Sequence, residues 1–305
     1  MKLAFADDHV KLYQGDISEG IPLEDGEASA AVFSPPYNVD IAYDAWDDAL
    51  PWDEYLDRIV RPTSRELARV LASGCRSWVN VAPVVESPPP PGADTKKARS
   101  QKRRFSLAAR WAIELEEAGL RPCDQVFWTS QRGGSTAWGS YELPSAPNIR
   151  GDYEVVHVHH TGEEVRPGPD AEEATDSGVI LFHFQGEYHR NVPGAMKGWR
   201  DQMGDWPRLV SNVWRIQPER RSGGHPAPYP VELAERCIRL STWPGELVVD
   251  PFAGSGSTLI AARRLGRRAV GVELSEQYCE RAIERLAAAH SSSQADQEPS
   301  EVAGA

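Results

Sequence analysis

Ser34-Pro35-Pro36-Tyr37 combines a hydroxyl, two rigid rings and an aromatic at the end of an apolar run, Ala30-Ala31-Val32-Phe33. Leaving a strand end together, these groups suit the holding of a planar base by its amino group. The prolines lock φ and carry no N–H, so no donor competes for the Pro35 carbonyl. Taken alone the tetrapeptide also fits a polyproline turn, since Pro88-Pro89-Pro90-Pro91 shows proline used as a spacer. A second constellation lies near the other end of the chain, where Leu247-Val248-Val249-Asp250 runs into Pro251-Phe252-Ala253-Gly254-Ser255-Gly256-Ser257-Thr258. Gly254 and Gly256 sit where a strand turns into a helix, so main chain approaches a ligand with no Cβ in the way. Glu273 ends the next apolar run, Ala269-Val270-Gly271-Val272, about 20 positions on, the distance at which a carboxylate takes up a ribose diol. The glycine turn and acid alone also fit a nicotinamide dinucleotide.

The elements that must position these groups alternate between apolar runs and helical patterns, which points to an α/β fold with a doubly wound, mostly parallel sheet. Val10-Lys11-Leu12-Tyr13, Ala30 to Phe33, Ser77-Trp78-Val79-Asn80-Val81 and Val126-Phe127-Trp128 read as strands. Leu56, Ile59, Val60, Leu67, Val70 and Leu71 keep helical spacing, with Pro62 expected to kink or split the element. Phe105, Ala108, Ala112 and Leu115 mark a helix ending near Gly119. From about 130 to 222 the rhythm breaks into a loop-rich insertion with short strand-like pieces at Glu154–Val158 and Val179–Phe182. It resumes with a helix carrying Val231, Ala234, Cys237, Ile238 and Ser241, strand 247–250, helix 257–265, strand 269–272 and a helix through Leu286. The expected organisation is one domain from 1–129 and 223–289, an insertion over 130–222, and a disordered tail over 290–305.

A chain of 305 residues, 40% hydrophobic and 26% charged, suits a globular protein with one sizeable core or two modest domains. No run approaches the roughly 20 apolar residues of a membrane helix, and Met1 to Asp8 lacks a signal core, so the expected location is cytoplasmic. Cys75, Cys123, Cys237 and Cys279 form no Cys-x-x-Cys pair, and His157, His159 and His160 have no carboxylate obviously beside them; no metal site is expected. The net charge of −12 argues against a nucleic-acid partner, which usually leaves a basic footprint. The charge is uneven, however. Lys96, Lys97, Arg99, Lys102, Arg103 and Arg104 cluster as a solvated loop or a phosphate-contacting arm, and a further set runs from Arg190 to Arg221.

Together, the Ser-Pro-Pro-Tyr and Asp250 to Gly256 motifs resemble the S-adenosylmethionine-dependent amino-methyltransferases of DNA, in the permuted order of the β group, which places the catalytic motif first. The resemblance implies a Rossmann-like methyltransferase fold, S-adenosyl-L-methionine as cofactor and double-stranded DNA as partner. It assigns Ser34, Pro35, Pro36 and Tyr37 to catalysis, and Asp250, Phe252, Ala253, Gly254, Gly256, Ser257 and Glu273 to the cofactor. His225 and Pro226, opening the run to Pro230, resemble the motif lining the methionine end of the ligand. Asp16, in Gly15-Asp16, resembles the acid that meets the adenine amino group. In such chemistry Ser34 Oγ and the Pro35 carbonyl grip the amino hydrogens and aim the nitrogen lone pair, while Tyr37 stacks on a base that has left the duplex.

The family's target-recognition region occupies the place of residues 130–222, where Trp138-Gly139-Ser140 and Ser211-Asn212-Val213-Trp214 resemble edge motifs. Serine at the first motif position favours cytosine N4; adenine N6, where aspartate is more usual, is the alternative. The motif order and Ser34 argue against protein glutamine methyltransferases, which put the cofactor motif first and use Asn. An inactive DNA-binding relative and a dinucleotide oxidoreductase are the readings from other classes. Neither a paired restriction endonuclease acting separately nor the choice between monomer and homodimer follows from the sequence.

Overall fold

A computed structural model of the chain describes residues 1–86, 104–129, 153–162, 209–219 and 228–295. Among the described residues nine strands form one sheet, in the order β1 (Lys2–Ala6), β2 (Val10–Gln14), β11 (Arg268–Glu273), β10 (Leu247–Asp250), β3 (Ala28–Phe33), β4 (Leu71–Val81), β8 (Tyr153–His160), β7 (Arg121–Thr129) and β9 (Val213–Arg215). From β2 through β4 every pairing is parallel, whereas β8 runs antiparallel to both its neighbours. A two-residue pair, β5 (Val85–Glu86) and β6 (Arg104–Phe105), stands apart.

All six residues of β3 are buried, as befits a strand covered on both faces. Its alternation divides the core: Val32 and Val248 face one apolar cluster, and Ala31, Phe33 and Val249 face the other. The first layer is closed by helices α4 (Val231–Ser241), α5 (Ser257–Arg264) and α6 (Glu276–Ala295), the second by α1 (Trp52–Tyr55), α2 (Arg61–Val70) and α3 (Leu107–Glu117). Helical backbone runs on into Pro62 without a split. A π-helical turn over Leu56–Val60 joins α1 to α2, and the Thr63 and Ser64 hydroxyls donate to the Ile59 and Val60 carbonyls at 2.6 and 2.8 Å.

Three features depart from the sequence expectation. Residues 130–222 are not wholly an insertion, because β8 lies inside the sheet between β4 and β7, and β9 extends the β7 edge. Val155 through His159 are buried on both faces, so β8 shows no polar face to mark its phase. Strand β1 adds an antiparallel edge that the sequence reading leaves out. The last helix continues past Ala289 to Ala295, into the stretch expected to be a disordered tail. Val179–Phe182, Trp138–Ser140, Lys96–Arg103, His225 and Pro226 lie outside the described residues.

Candidate active site

Parallel pairing brings the carboxyl ends of β2, β11, β10, β3 and β4 to one edge, with β11 and β3 on either side of β10. Crevices at such points are the usual ligand sites of open α/β sheets. A cavity of about 360 Å³ opens here, within the range of small-molecule sites. Its wall includes Asp16, Ser34, Pro35, Pro36, Tyr37, Phe252, Ala253, Gly254, Ser257 and Glu273. The two motifs, remote in sequence, thus face one space. Thr258 fastens them together, its hydroxyl donating to the Val32 carbonyl at 3.1 Å.

On the side of β10 and β11, Glu273 is the organising group. Its Oε2 accepts the Gly254 N–H at 2.7 Å and its Oε1 accepts the Ser275 N–H at 2.8 Å. Gly254 (φ 51°) and Gly256 (φ 84°) take the left-handed conformation. A Cβ on Gly256 would also approach Ala282 Cβ to 3.1 Å, so this glycine admits the last helix. Burial raises the Glu273 carboxyl to about 7, with Asp250 and Asp44 adding to the shift against the two N–H bonds. Asp16 caps a short turn through the Ser18 N–H at 2.8 Å while lining the cavity.

Asp250 and Gly256 are not among the residues lining the cavity. Asp250 is fully buried beneath the turn, where Oδ1 accepts the Phe252 N–H at 2.9 Å and Oδ2 accepts the Tyr229 hydroxyl at 3.3 Å. Burial raises its carboxyl to about 6. It shapes the turn from below.

On the side of β3, Ser34 Oγ lies 3.0 Å from the Asn80 carbonyl and 3.1 Å from Tyr37 Oη. Tyr37 Oη donates to Glu154 Oε2 at 2.8 Å, and Asn80 Nδ2 donates to the same oxygen at 2.6 Å. The Pro36 carbonyl accepts the buried Tyr55 hydroxyl at 2.7 Å, which fixes the double proline from behind. Beyond Tyr37 the chain makes a tight loop, with Asn38 (φ 59°) and Asp40 (φ 66°) left-handed. Buried Asp48 holds it by accepting the Asn38, Val39 and Ile41 N–H groups at 2.8, 2.9 and 3.1 Å. The loop reaches the other half through Asp44, whose Oδ2 accepts the Ser275 hydroxyl at 2.6 Å.

Glu154 and Asn80 escape the sequence reading because strand register brings them in, and Asp44 and Asp48 because the fold of the loop after Tyr37 does. Phe33 pairs with Val79, and Val81 with Val155, which sets Asn80 and Glu154 beside the strand end that carries Ser34. A polar residue inside Ser77–Val81, and a carboxylate opening the run Val155–Val158, were the available signals.

The charged residues on the described wall are Asp16, Asp44, Glu154, Glu219 and Glu273, all acidic. Such a wall repels the pyrophosphate of a nicotinamide dinucleotide and favours a ligand bearing hydroxyls and positive charge. S-adenosyl-L-methionine, with its ribose, ammonium and sulfonium, has that character, so the donor set fits it.

The family described as DNA methylase matches residues 28–284. The type II methyltransferase M.Cfr9I of Citrobacter freundii is 40% identical over 296 residues, covering 90% of this chain and 87% of that protein. M.BglII of Bacillus subtilis, also a type II methyltransferase, is 25% identical over 284 residues, covering 90% and 68%. Among solved structures, a DNA modification methylase of Thermus thermophilus described as putative, TTHA0409 in complex with S-adenosyl-L-methionine, is similar at a TM-score of 0.64 and 25% identity, over 91% of this chain and 93% of that one. The cytosine-N4-specific PvuII DNA methyltransferase shares the fold at a TM-score of 0.61 and 16% identity, over 95% and 94%. With the family match spanning both the Ser34 and the Glu273 halves of one cavity, the chain belongs to the DNA methylase family and is an S-adenosyl-L-methionine-dependent DNA amino-methyltransferase.

Proposed function

We propose that the enzyme methylates the exocyclic N4 of a cytosine turned out of double-stranded DNA. The observation that carries this reading is Ser34 Oγ at the end of β3, on the wall of the cavity that Glu273 lines. When bound, S-adenosyl-L-methionine supplies an electrophilic methyl group. Glu273 takes the ribose hydroxyls, Asp16 the adenine amino group and Phe252 an adenine face, while Gly254, Ala253 and Ser257 follow the rest of the ligand. Ser34 Oγ and the Pro35 carbonyl accept the amino hydrogens and pull the nitrogen toward the tetrahedral geometry in which its lone pair is free to attack. Tyr37 offers its ring to the extruded base.

The decisive experiment incubates the protein with methyl-labelled cofactor and double-stranded DNA and separates the digested nucleosides. N4-methylcytosine is the expected product. N6-methyladenine in its place would overturn the base assignment, and unlabelled DNA would overturn the activity. In this reading, residues of 130–222 outside β8 and β9 choose the target sequence, as expected of a modification enzyme with a separate endonuclease.

A further inference from the structure

We infer that Glu154 accepts, through Tyr37 and Ser34, the proton that the target amino group loses on methylation. The inference rests on the amino-group chemistry proposed above and adds a residue that the motif does not contain.

The geometry is a chain of hydroxyls ending in a carboxylate. Ser34 Oγ stands 3.1 Å from Tyr37 Oη, and Tyr37 Oη stands 2.8 Å from Glu154 Oε2. Asn80 braces each link: its carbonyl stands 3.0 and 3.2 Å from the two hydroxyls, and its Nδ2 donates to both Tyr37 Oη and Glu154 Oε2. No cation pairs with Glu154 among the described residues. Burial holds its carboxyl above the usual range, against the lowering effect of the two hydrogen bonds.

The step balances. The amino nitrogen forms its bond to the methyl carbon, and sulfur keeps the electron pair of the bond that breaks. The nitrogen, now positively charged, gives one hydrogen to Ser34 Oγ as Ser34 passes its own to Tyr37 Oη and Tyr37 passes its own to Glu154. A sulfonium and a carboxylate become a neutral thioether and a neutral acid, so the buried site holds no new charge. Release of the acid proton to water resets the chain. Tyr37 therefore uses its hydroxyl as well as its ring, and phenylalanine does not substitute for it.

The test compares Glu154→Gln, Tyr37→Phe and the double variant with the parent, by single-turnover methylation across pH. It also compares calorimetric cofactor affinity and the infrared carboxyl absorption. The expected parental rate rises with pH and levels once Glu154 is ionised. Each single variant is expected to lose about 10²-fold in rate with cofactor affinity within about twofold, a flat profile in that range, and no further loss in the double variant. Besides the bands of Glu273 and Asp250, an infrared carboxyl component titrating above the ordinary range is expected in the parent, and the parent-minus-variant difference should show it lost in Glu154→Gln. Parental rate in both single variants, or a slower rate that keeps the parental pH profile, would overturn the relay. Should the glutamine variant fail to fold, Tyr37→Phe decides alone, since it keeps the ring and leaves Glu154 bonded to Asn80. A parent that methylates no amino group fails the proposed activity instead, which separates the two.

Discussion

The carboxylate of Glu273 accepts the backbone N–H of Gly254 at 2.7 Å, so the residue proposed for the ribose also builds the turn that receives the rest of the ligand. Glu273→Ala is therefore expected to weaken cofactor binding twice over, by losing ribose contacts and by loosening the turn. With charge-assisted bonds worth about 1.5–3 kcal/mol each, the loss is expected to exceed tenfold in Kd. Calorimetry on the folded variant measures it.

The raised Glu273 carboxyl predicts a pH dependence of the same step. It is ionised above about pH 7 and protonated below. A protonated acid is a poorer acceptor and carries no charge for a cationic ligand, so affinity falls as pH drops through 7, by up to about tenfold per unit for one linked proton. Binding then releases a proton, which calorimetry detects in buffers of different ionisation enthalpy. Glu273→Gln should remove the dependence.

Ser34→Ala takes away an acceptor whose value grows as the amino nitrogen gains positive charge. The expected result is a fall in single-turnover rate of about 10²-fold, with cofactor affinity close to the parent's. An equal loss in both would mean that Ser34 shapes the cavity and does not act on the base.

Asp48 holds three N–H groups of the loop after Tyr37 and is itself 2% exposed. Asp48→Ala leaves one buried and two part-buried donors without their acceptor and frees Asn38 from its left-handed conformation. A loss of about 2–4 kcal/mol in unfolding free energy is expected, read by denaturant titration.

His157 and His159 are buried side by side, and burial lowers both rings from 6.5 to about 4. The folded state excludes protons that the unfolded chain binds, so their contribution is complete above pH 6.5 and is lost as pH falls toward 4. The loss is of the order of 3 kcal/mol for each ring. Replacing both by Gln should flatten the acid side of a melting-temperature profile.

What the sequence made legible was contiguous. Ser34 to Tyr37 and Phe252 to Gly254 announce themselves because each group is joined to a strand end by neighbouring residues. The β3, β10 and β11 runs are apolar enough to be read as buried strands. Glu154 was hidden for the opposite reason: its place beside Ser34 depends on an antiparallel strand entering the sheet between two others. An acid ending a strand reads alike whether it faces a ligand or supports a turn, and the Asp250 carboxylate holds the turn through the Phe252 N–H.

The charged groups of the wall among the described residues, all acidic, would also set how far a nucleotide travels inward. A neutral base passes the carboxylates of Asp44, Glu154 and Glu273 at no electrostatic cost, whereas its flanking phosphates are repelled and stay at the rim. In the proposed reaction the wall would act as a depth stop, admitting one base and holding the strand outside, so that the grip on the duplex would come from other surfaces. For a chain of net charge −12 the proposed reaction would require attraction localised elsewhere on the surface, with the acidic wall limiting entry.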